Sequence, residues 1–172
     1  MPSSTFVNYR GDLMKITIIA VGKIKEKYIK LGIEEFSKRL SRFVNLEIIE
    51  VRDEATAEDP SQREIEMIQD KEAALILKKI KDDMYVVAMD LKGETMTSTC
   101  LAEKMDNITT YGHSHIAFVI GGSFGLAESI KKRADFKLSF SPMTFPHQLF
   151  RVLLLEQIYR AFKINANERY HK

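Results

Sequence analysis

The first regular pattern in the chain is "KITIIAV", Lys15 to Val21, a β-branched apolar run without polar alternation, which predicts a buried strand. From Glu26 to Phe43 the spacing changes: Tyr28, Leu31, Phe36, Leu40 and Phe43 recur every three to five residues, predicting one apolar helix face. "LEIIEV", Leu46 to Val51, returns to strand, and Asp53 to Asp59 is a polar connection. Ser61 followed by Glu64 is a capping-box signature for a helix reaching about Ile80. "MYVVAMD", Met84 to Asp90, predicts a third strand, followed by a turn around Gly93. A helix from Ser98 to Met105, a strand from Ile116 to Ile120, a helix after Gly125, a strand from Phe136 to Phe140 and a final helix from Pro146 to Ile164 complete the pattern. Pro146 suits a first helical position, where its missing N–H is not needed.

Strands alternating with helices imply an α/β fold with a mainly parallel sheet flanked by helices. Ligands of such sheets sit beyond the carboxyl ends of the strands. That places Met89 to Gly93, Gly121 to Gly125 and Phe140 to Phe145 as candidate site loops.

The 172 residues suffice for one domain with a real core, and a composition 45% hydrophobic and 29% charged is that of a globular protein. No apolar run approaches the roughly 20 residues that span a bilayer, and "MPSSTFVNYRGDL" lacks the features of a signal peptide. The single cysteine excludes an internal disulfide and fits a cytoplasmic location; Cys100 reads as a small buried hydrophobe. The net charge of +2 is unevenly spread: +5 over Lys15 to Phe43, −8 over Val44 to Ala127 and +5 over Glu128 to Lys172. Two basic ends favour an anionic partner on whichever surface they share.

"VIGGSFGLAE", Val119 to Glu128, contains the Gly-x-Ser-x-Gly pattern of a hydrolase nucleophile elbow centred on Ser123. The order Ser123, Asp135, His147 fits a hydrolase, but twelve residues separate each pair and there is no His-Gly-Gly oxyanion loop. A dinucleotide fingerprint also fails, because glycines at 121, 122 and 125 do not make Gly-x-Gly-x-x-Gly and no acidic residue lies about twenty positions on. A sharp strand-to-helix turn explains one or two of these glycines, but not the second irregular loop, "SFSPMTFPH", after the next strand.

The final helix sets Glu156 and Arg160 one turn apart on an otherwise apolar face. With Arg151 and His147 they form a candidate site wall. Apolar residues on much of the helix circumference predict burial on more than one side, and a partner subunit accounts for that. In the tail "NERYHK", Tyr170 and His171 beside Arg169 and Lys172 suit stacking on a base and contact with phosphate. His113 and His115 form an isolated His-x-His without further ligands; they read as surface residues at a strand entrance, and no metal is expected.

"KITIIAVGKIKEKYIKLGIEEFSKRL", "FVIGGSFGL", "LSFSPMTFPHQLFRVLLLEQIYRAFKI" and the terminal "YHK", in this order, resemble the ribosomal RNA large subunit methyltransferase H (RlmH) family over Met14 to Lys172. These are small SPOUT-class enzymes that use S-adenosylmethionine to methylate N3 of a pseudouridine in helix 69 of 23S rRNA. The resemblance implies a SPOUT α/β-knot with a C-terminal deep trefoil knot, and a homodimer with sites at the interface. Carried onto this chain, the cofactor walls are Met89, the glycine loop at Gly121 and Gly122, and the backbone of Phe140, Ser141, Pro142, Met143, Thr144 and Phe145. His171, or else His147, then assists deprotonation of N3, Tyr170 positions the base, and Arg151 and Arg160 hold phosphate or developing negative charge, with Glu156 beside them. With no separate RNA-binding module, the expected substrate is 23S rRNA in the assembled ribosome. Residues 1–13 have no family counterpart and read as an upstream start or leader dispensable for activity. A non-catalytic ribosome- or RNA-binding protein and a serine hydrolase using Ser123 are the alternatives.

Overall fold

In a computed structural model, residues 13–172 are described; the expected leader therefore lies outside the described residues except for Leu13. The elements run β1 (Met14–Val21), α1 (Lys27–Leu40), β2 (Val44–Val51), α2 (Gln62–Leu77), β3 (Tyr85–Thr95), α3 (Ser98–Thr110), β4 (His115–Ile120), α4 (Glu128–Arg133), β5 (Phe136–Ser139) and α5 (His147–Asn165). The five strands pair in parallel in the order β2-β1-β4-β3-β5.

Parallel strands joined by helices are covered on both faces, which explains why β1 and β4 read as continuous apolar runs. On one face Ile16, Ile18 and Phe118 pack with Leu40 of α1, Met105 of α3 and Leu154, Leu155 and Ile158 of α5. On the other, Ile19, Val21 and Val119 pack with Ala73 and Ile76 of α2 and Ile130 of α4. The capping box forms as the sequence predicts: the Glu64 N–H donates to Ser61 Oγ at 3.2 Å and the Ser61 N–H to Glu64 Oε2 at 2.6 Å.

Four expectations are corrected. Around Gly93 the chain does not leave the sheet; Leu138 of β5 pairs with both Met89 and Glu94, so residues 90–93 make an excursion within β3. Gly93 is required there, because a Cβ would lie 2.7 Å from the Lys137 carbonyl carbon. Cys100 is exposed, because α3 runs on to Thr110 and buries Leu101, Ala102, Met105 and Ile108 instead. On α1, Tyr28 and Leu31 are exposed and Ile29 is buried, because the helix turns its second residue series toward the sheet.

The fourth concerns His115, which is buried because β4 is the middle strand; its Nε2 lies 2.7 Å from Thr17 Oγ1. His113 remains exposed, edge-on to Tyr85 at 5.3 Å. Burial pushes the His115 pKa down, with Lys15 and Lys81 reinforcing it and Asp83 and Glu47 opposing it. An unfolded chain takes this proton near the ordinary value of 6.5 while the folded chain refuses it, so stability falls as pH drops through that value. Urea midpoints are expected to be lower at about pH 5.5 than at about pH 7.5, and His115→Gln should flatten the difference. An unchanged slope in that variant would assign the effect to His147, whose pKa is also lowered by burial.

Candidate functional site

The carboxyl ends of β3, β4 and β5 open onto a cavity of about 620 Å³ beside the first residues of α5. Three loops wall it. From the excursion within β3 come Met89, Asp90, Leu91 and Lys92; after β4, residues 121–126; after β5, Phe140, Ser141, Met143, Thr144 and Phe145. The three predicted site loops thus converge, and of their nine predicted cofactor residues only Pro142 does not line the cavity.

The glycine loop folds back on itself. Gly122 and Gly125 form an antiparallel bridge, with the Gly125 N–H donating to the Gly122 carbonyl at 3.1 Å. Gly121 lies under this turn, so a Cβ there would stand 2.7 Å from the Gly125 carbonyl carbon. From α2, Gln69 Nε2 donates to the Phe124 carbonyl at 2.7 Å and fixes the turn, itself lining the cavity. Glu72 of the same helix is buried behind Gly122, and desolvation pushes its carboxyl pKa up. Sequence reading missed both; their spacing of three on α2 was the available signal.

In the loop after β5, the Met143 N–H donates to Ser141 Oγ at 3.0 Å, while Ser139 Oγ donates to the Ser141 carbonyl at 3.1 Å. Local polar bonding shapes this loop without any helix or ladder. Phe150 reaches back from α5, its ring centroid 4.9 Å from Phe140 and 6.1 Å from Phe145. The cavity therefore joins an aromatic side to exposed backbone edges, the composition of a site for a heterocycle with polar substituents. His147 closes one rim; burial, helped by the charge of Arg151, pushes its pKa down.

Arg151 is placed differently from the phosphate-holding role expected of it. It is 2% exposed, and donates through Nη1 to Glu50 Oε2 at 2.6 Å and through Nη2 to the carbonyls of Val21 at 2.9 Å and Gly22 at 2.6 Å. Its guanidinium ties α5 to the ends of β1 and β2 through Nη1 and Nη2, and its Nε is buried without a hydrogen-bond partner, out of reach of a substrate. Arg151→Ala should cost about 3–5 kcal/mol by leaving Glu50 and two carbonyls without their cation. Chemical denaturation measures it; a loss below about 1 kcal/mol would show these contacts to be incidental.

The remaining predicted residues assemble at the other end of α5. Arg160 Nη2 donates to Glu156 Oε1 at 2.5 Å, and the Tyr170 hydroxyl donates to the same oxygen at 3.1 Å. Burial and the adjacent Glu156 charge push the Tyr170 pKa up, so it stays a protonated donor. Arg160 Nη1 lies 3.3 Å from His171 Nδ1, and its guanidinium carbon sits 4.7 Å from the Tyr170 ring centroid. Arginine only donates, so Nδ1 accepts and a neutral His171 ring carries its proton on Nε2. Thirteen residues of helix separate His147 from Arg160, about 20 Å at 1.5 Å per residue. Within one chain Arg160 is thus far from His147, while Glu156 joins Phe140 and Phe145 in a smaller adjoining pocket.

The hydrolase alternative does not survive this geometry. Ser123 is exposed at the tip of the turn, whereas Asp135 accepts the Val86 N–H at 2.8 Å at the opposite, amino end of the sheet. The triad cannot close. Among the described residues no group of three or more His, Cys, Asp or Glu could hold a metal ion, and no helix is long and apolar enough to cross a membrane.

Comparison with known proteins agrees with this architecture. Residues 14–171 match the family model described as "Predicted SPOUT methyltransferase". The ribosomal RNA large subunit methyltransferase H 1 of Clostridium perfringens is 59% identical over 159 residues, covering 92% of this chain and all of that protein. The ribosomal RNA large subunit methyltransferase H of Alkaliphilus oremlandii is 57% identical over the same length and the same shares. A solved structure described as a probable methylase family protein, from Haemophilus influenzae, superposes with a TM-score of 0.53 at 14% identity, covering 91% of this chain and 70% of that one. A second, from Neisseria gonorrhoeae, gives 0.54 at 12%, covering 100% and 90%. At such identities these two structures speak to the fold alone.

Proposed function

We propose that this chain, which belongs to the SPOUT methyltransferase family, methylates N3 of a pseudouridine in helix 69 of 23S rRNA, in the assembled ribosome. The observation that carries the reading is 59% identity to a large-subunit rRNA methyltransferase over 92% of this chain and all of that protein, together with a family match over residues 14–171, which includes all three cavity loops and the tail cluster. S-adenosylmethionine, when bound, supplies a methyl group on a positively charged sulfur. This chain's residues fit it: the aromatic side suits an adenine ring, and Gly121 and Gly122 line the cavity without side chains of their own. The deep trefoil knot belongs to the same reading, and its support is the match of residues 14–171 to the SPOUT family.

A homodimer completes the site. Tyr170 and His171 do not line the cavity of their own chain, and Arg160 stands about 20 Å along α5 from His147 on its rim, so Tyr170 and His171 of one copy serve the cavity of the other. The half-buried apolar residues Phe145, Leu149 and Leu153 near the cavity provide the surface for that contact. In that setting Tyr170 and Arg160 orient the base, and His171 removes the N3 proton. Nδ1 is free to do so only when Arg160 turns from it toward a carbonyl oxygen of the base, where negative charge appears as the proton leaves. Proton removal and charge stabilisation are thereby coupled, and Glu156 holds both Arg160 and Tyr170 in place. The basic chain ends add attraction for rRNA in the cytoplasm, where ribosomes are found.

The test is transfer of labelled methyl from S-adenosylmethionine to ribosomes lacking the modification, with mapping of the modified base. Label at N3 of the helix 69 pseudouridine is expected, with little transfer to naked helix 69 RNA. Equal turnover on both substrates would refute recognition of the assembled particle.

A further inference from the structure

Lys131 of α4 and Asp90 of the excursion within β3 face each other across one wall of the cavity. Their side chains are only 22% and 12% exposed, yet Lys131 Nζ is 3.7 Å from Asp90 Oδ2, too long for a hydrogen bond. Its other acidic neighbour, Glu128, is 3.6 Å away, and that side chain is 80% exposed and screened by water. Withdrawing two charges from water costs several kcal/mol per ion, which a loose contact does not repay. Nor does α4 need this lysine, since Lys132 and Arg133 already oppose the dipole at its last turn and Ile130 supplies its packing. Asp90 uses Oδ1 to accept the Lys92 N–H at 3.1 Å, which leaves Oδ2 turned to Lys131.

The rest of the cavity explains why such a pair is kept. Phe140, Phe145 and Phe150 form an aromatic side, so the cavity is polarised between a place for a ring and a separated positive and negative charge. We propose that Lys131 and Asp90 form the subsite for the zwitterionic amino-acid end of the cofactor, Lys131 binding its carboxylate and Asp90 its ammonium group. The proposal rests on the cofactor reading above and extends it to two residues outside the glycine and 140–145 loops. Each protein charge then exchanges a loose partner for a charge-assisted hydrogen bond.

Calorimetry on the intact protein tests it with S-adenosylhomocysteine, its decarboxylated analogue and 5′-methylthioadenosine, which lacks the amino-acid part. The protein should bind S-adenosylhomocysteine at least about tenfold more tightly than methylthioadenosine, the yield of one or two charge-assisted bonds. Lys131→Met should remove about tenfold of the affinity for S-adenosylhomocysteine while leaving the decarboxylated analogue and methylthioadenosine unchanged. Asp90→Asn should weaken both amine-bearing compounds and spare methylthioadenosine. Retained methylthioadenosine binding also certifies that each variant is folded. If Lys131→Met weakened all three compounds alike, or none, the subsite would be overturned while the cofactor reading stood; if the unaltered protein bound none of them, that reading itself would fall.

Discussion

Gly121→Val is expected to weaken cofactor binding about a hundredfold and to depress methyl transfer with it. A Cβ at this position meets the Gly125 carbonyl carbon at 2.7 Å and its oxygen at 2.9 Å, both backbone atoms that no rotamer change can move. Accommodation requires the turn at 122–125 to open into the cavity, against the Gln69 bond to the Phe124 carbonyl. Overpacking of this kind costs about 2–3 kcal/mol, equivalent to roughly a hundredfold in affinity if it is paid on closing the turn around ligand. Calorimetry with S-adenosylhomocysteine reads the affinity and thermal unfolding shows whether the fold survives. Ser123→Ala, at the exposed tip of the same turn, is the control and should methylate normally. A Gly121→Val protein that bound the cofactor as tightly as the original would remove this loop from the site.

His171→Ala should slow single-turnover methylation by about 10²–10⁴, the usual contribution of a positioned acid or base. Cofactor affinity should stay unchanged, since the tail does not line the cavity of its own chain. Mixed dimers of the two variants provide a sharper measurement. A copy carrying Gly121→Val retains an intact tail, and a copy carrying His171→Ala retains an intact cavity, so a dimer of one of each contains one complete composite site. With random pairing, about a quarter of the original sites are restored, although each variant alone is strongly impaired. No recovery on mixing would mean that each chain serves its own cavity.

The legibility of this protein differs between elements for physical reasons. The strands β1 and β4 are apolar over most of their length because both sheet faces are covered, and that is a property of composition alone. The Ser61 capping box is a contact three residues long and equally local. Glu156 and Arg160 meet because four residues is one helical turn. The same chain misled where a neighbour distant in sequence decided the outcome. His115 reads as a polar strand entrance and is buried because β4 is central; Cys100 reads as core and is exposed because α3 presents other residues to the sheet. The end of α5 carries Arg151 as a charge beside a site, yet its partners are Glu50, Val21 and Gly22, more than a hundred positions away.

The sequence by itself determined the alternation of strands and helices, the three loops at their carboxyl ends and the family resemblance, since each depends on local spacing or on residue identity along the chain. The tertiary structure decided the strand order, the contacts that turn Arg151 into an internal tie, the placing of Gln69 and Glu72 behind the glycine turn, and the facing of Asp90 by Lys131. Local preferences are set within one or two turns of chain, whereas the burial and charge partner of a side chain are set by whichever distant segments the sheet brings to it.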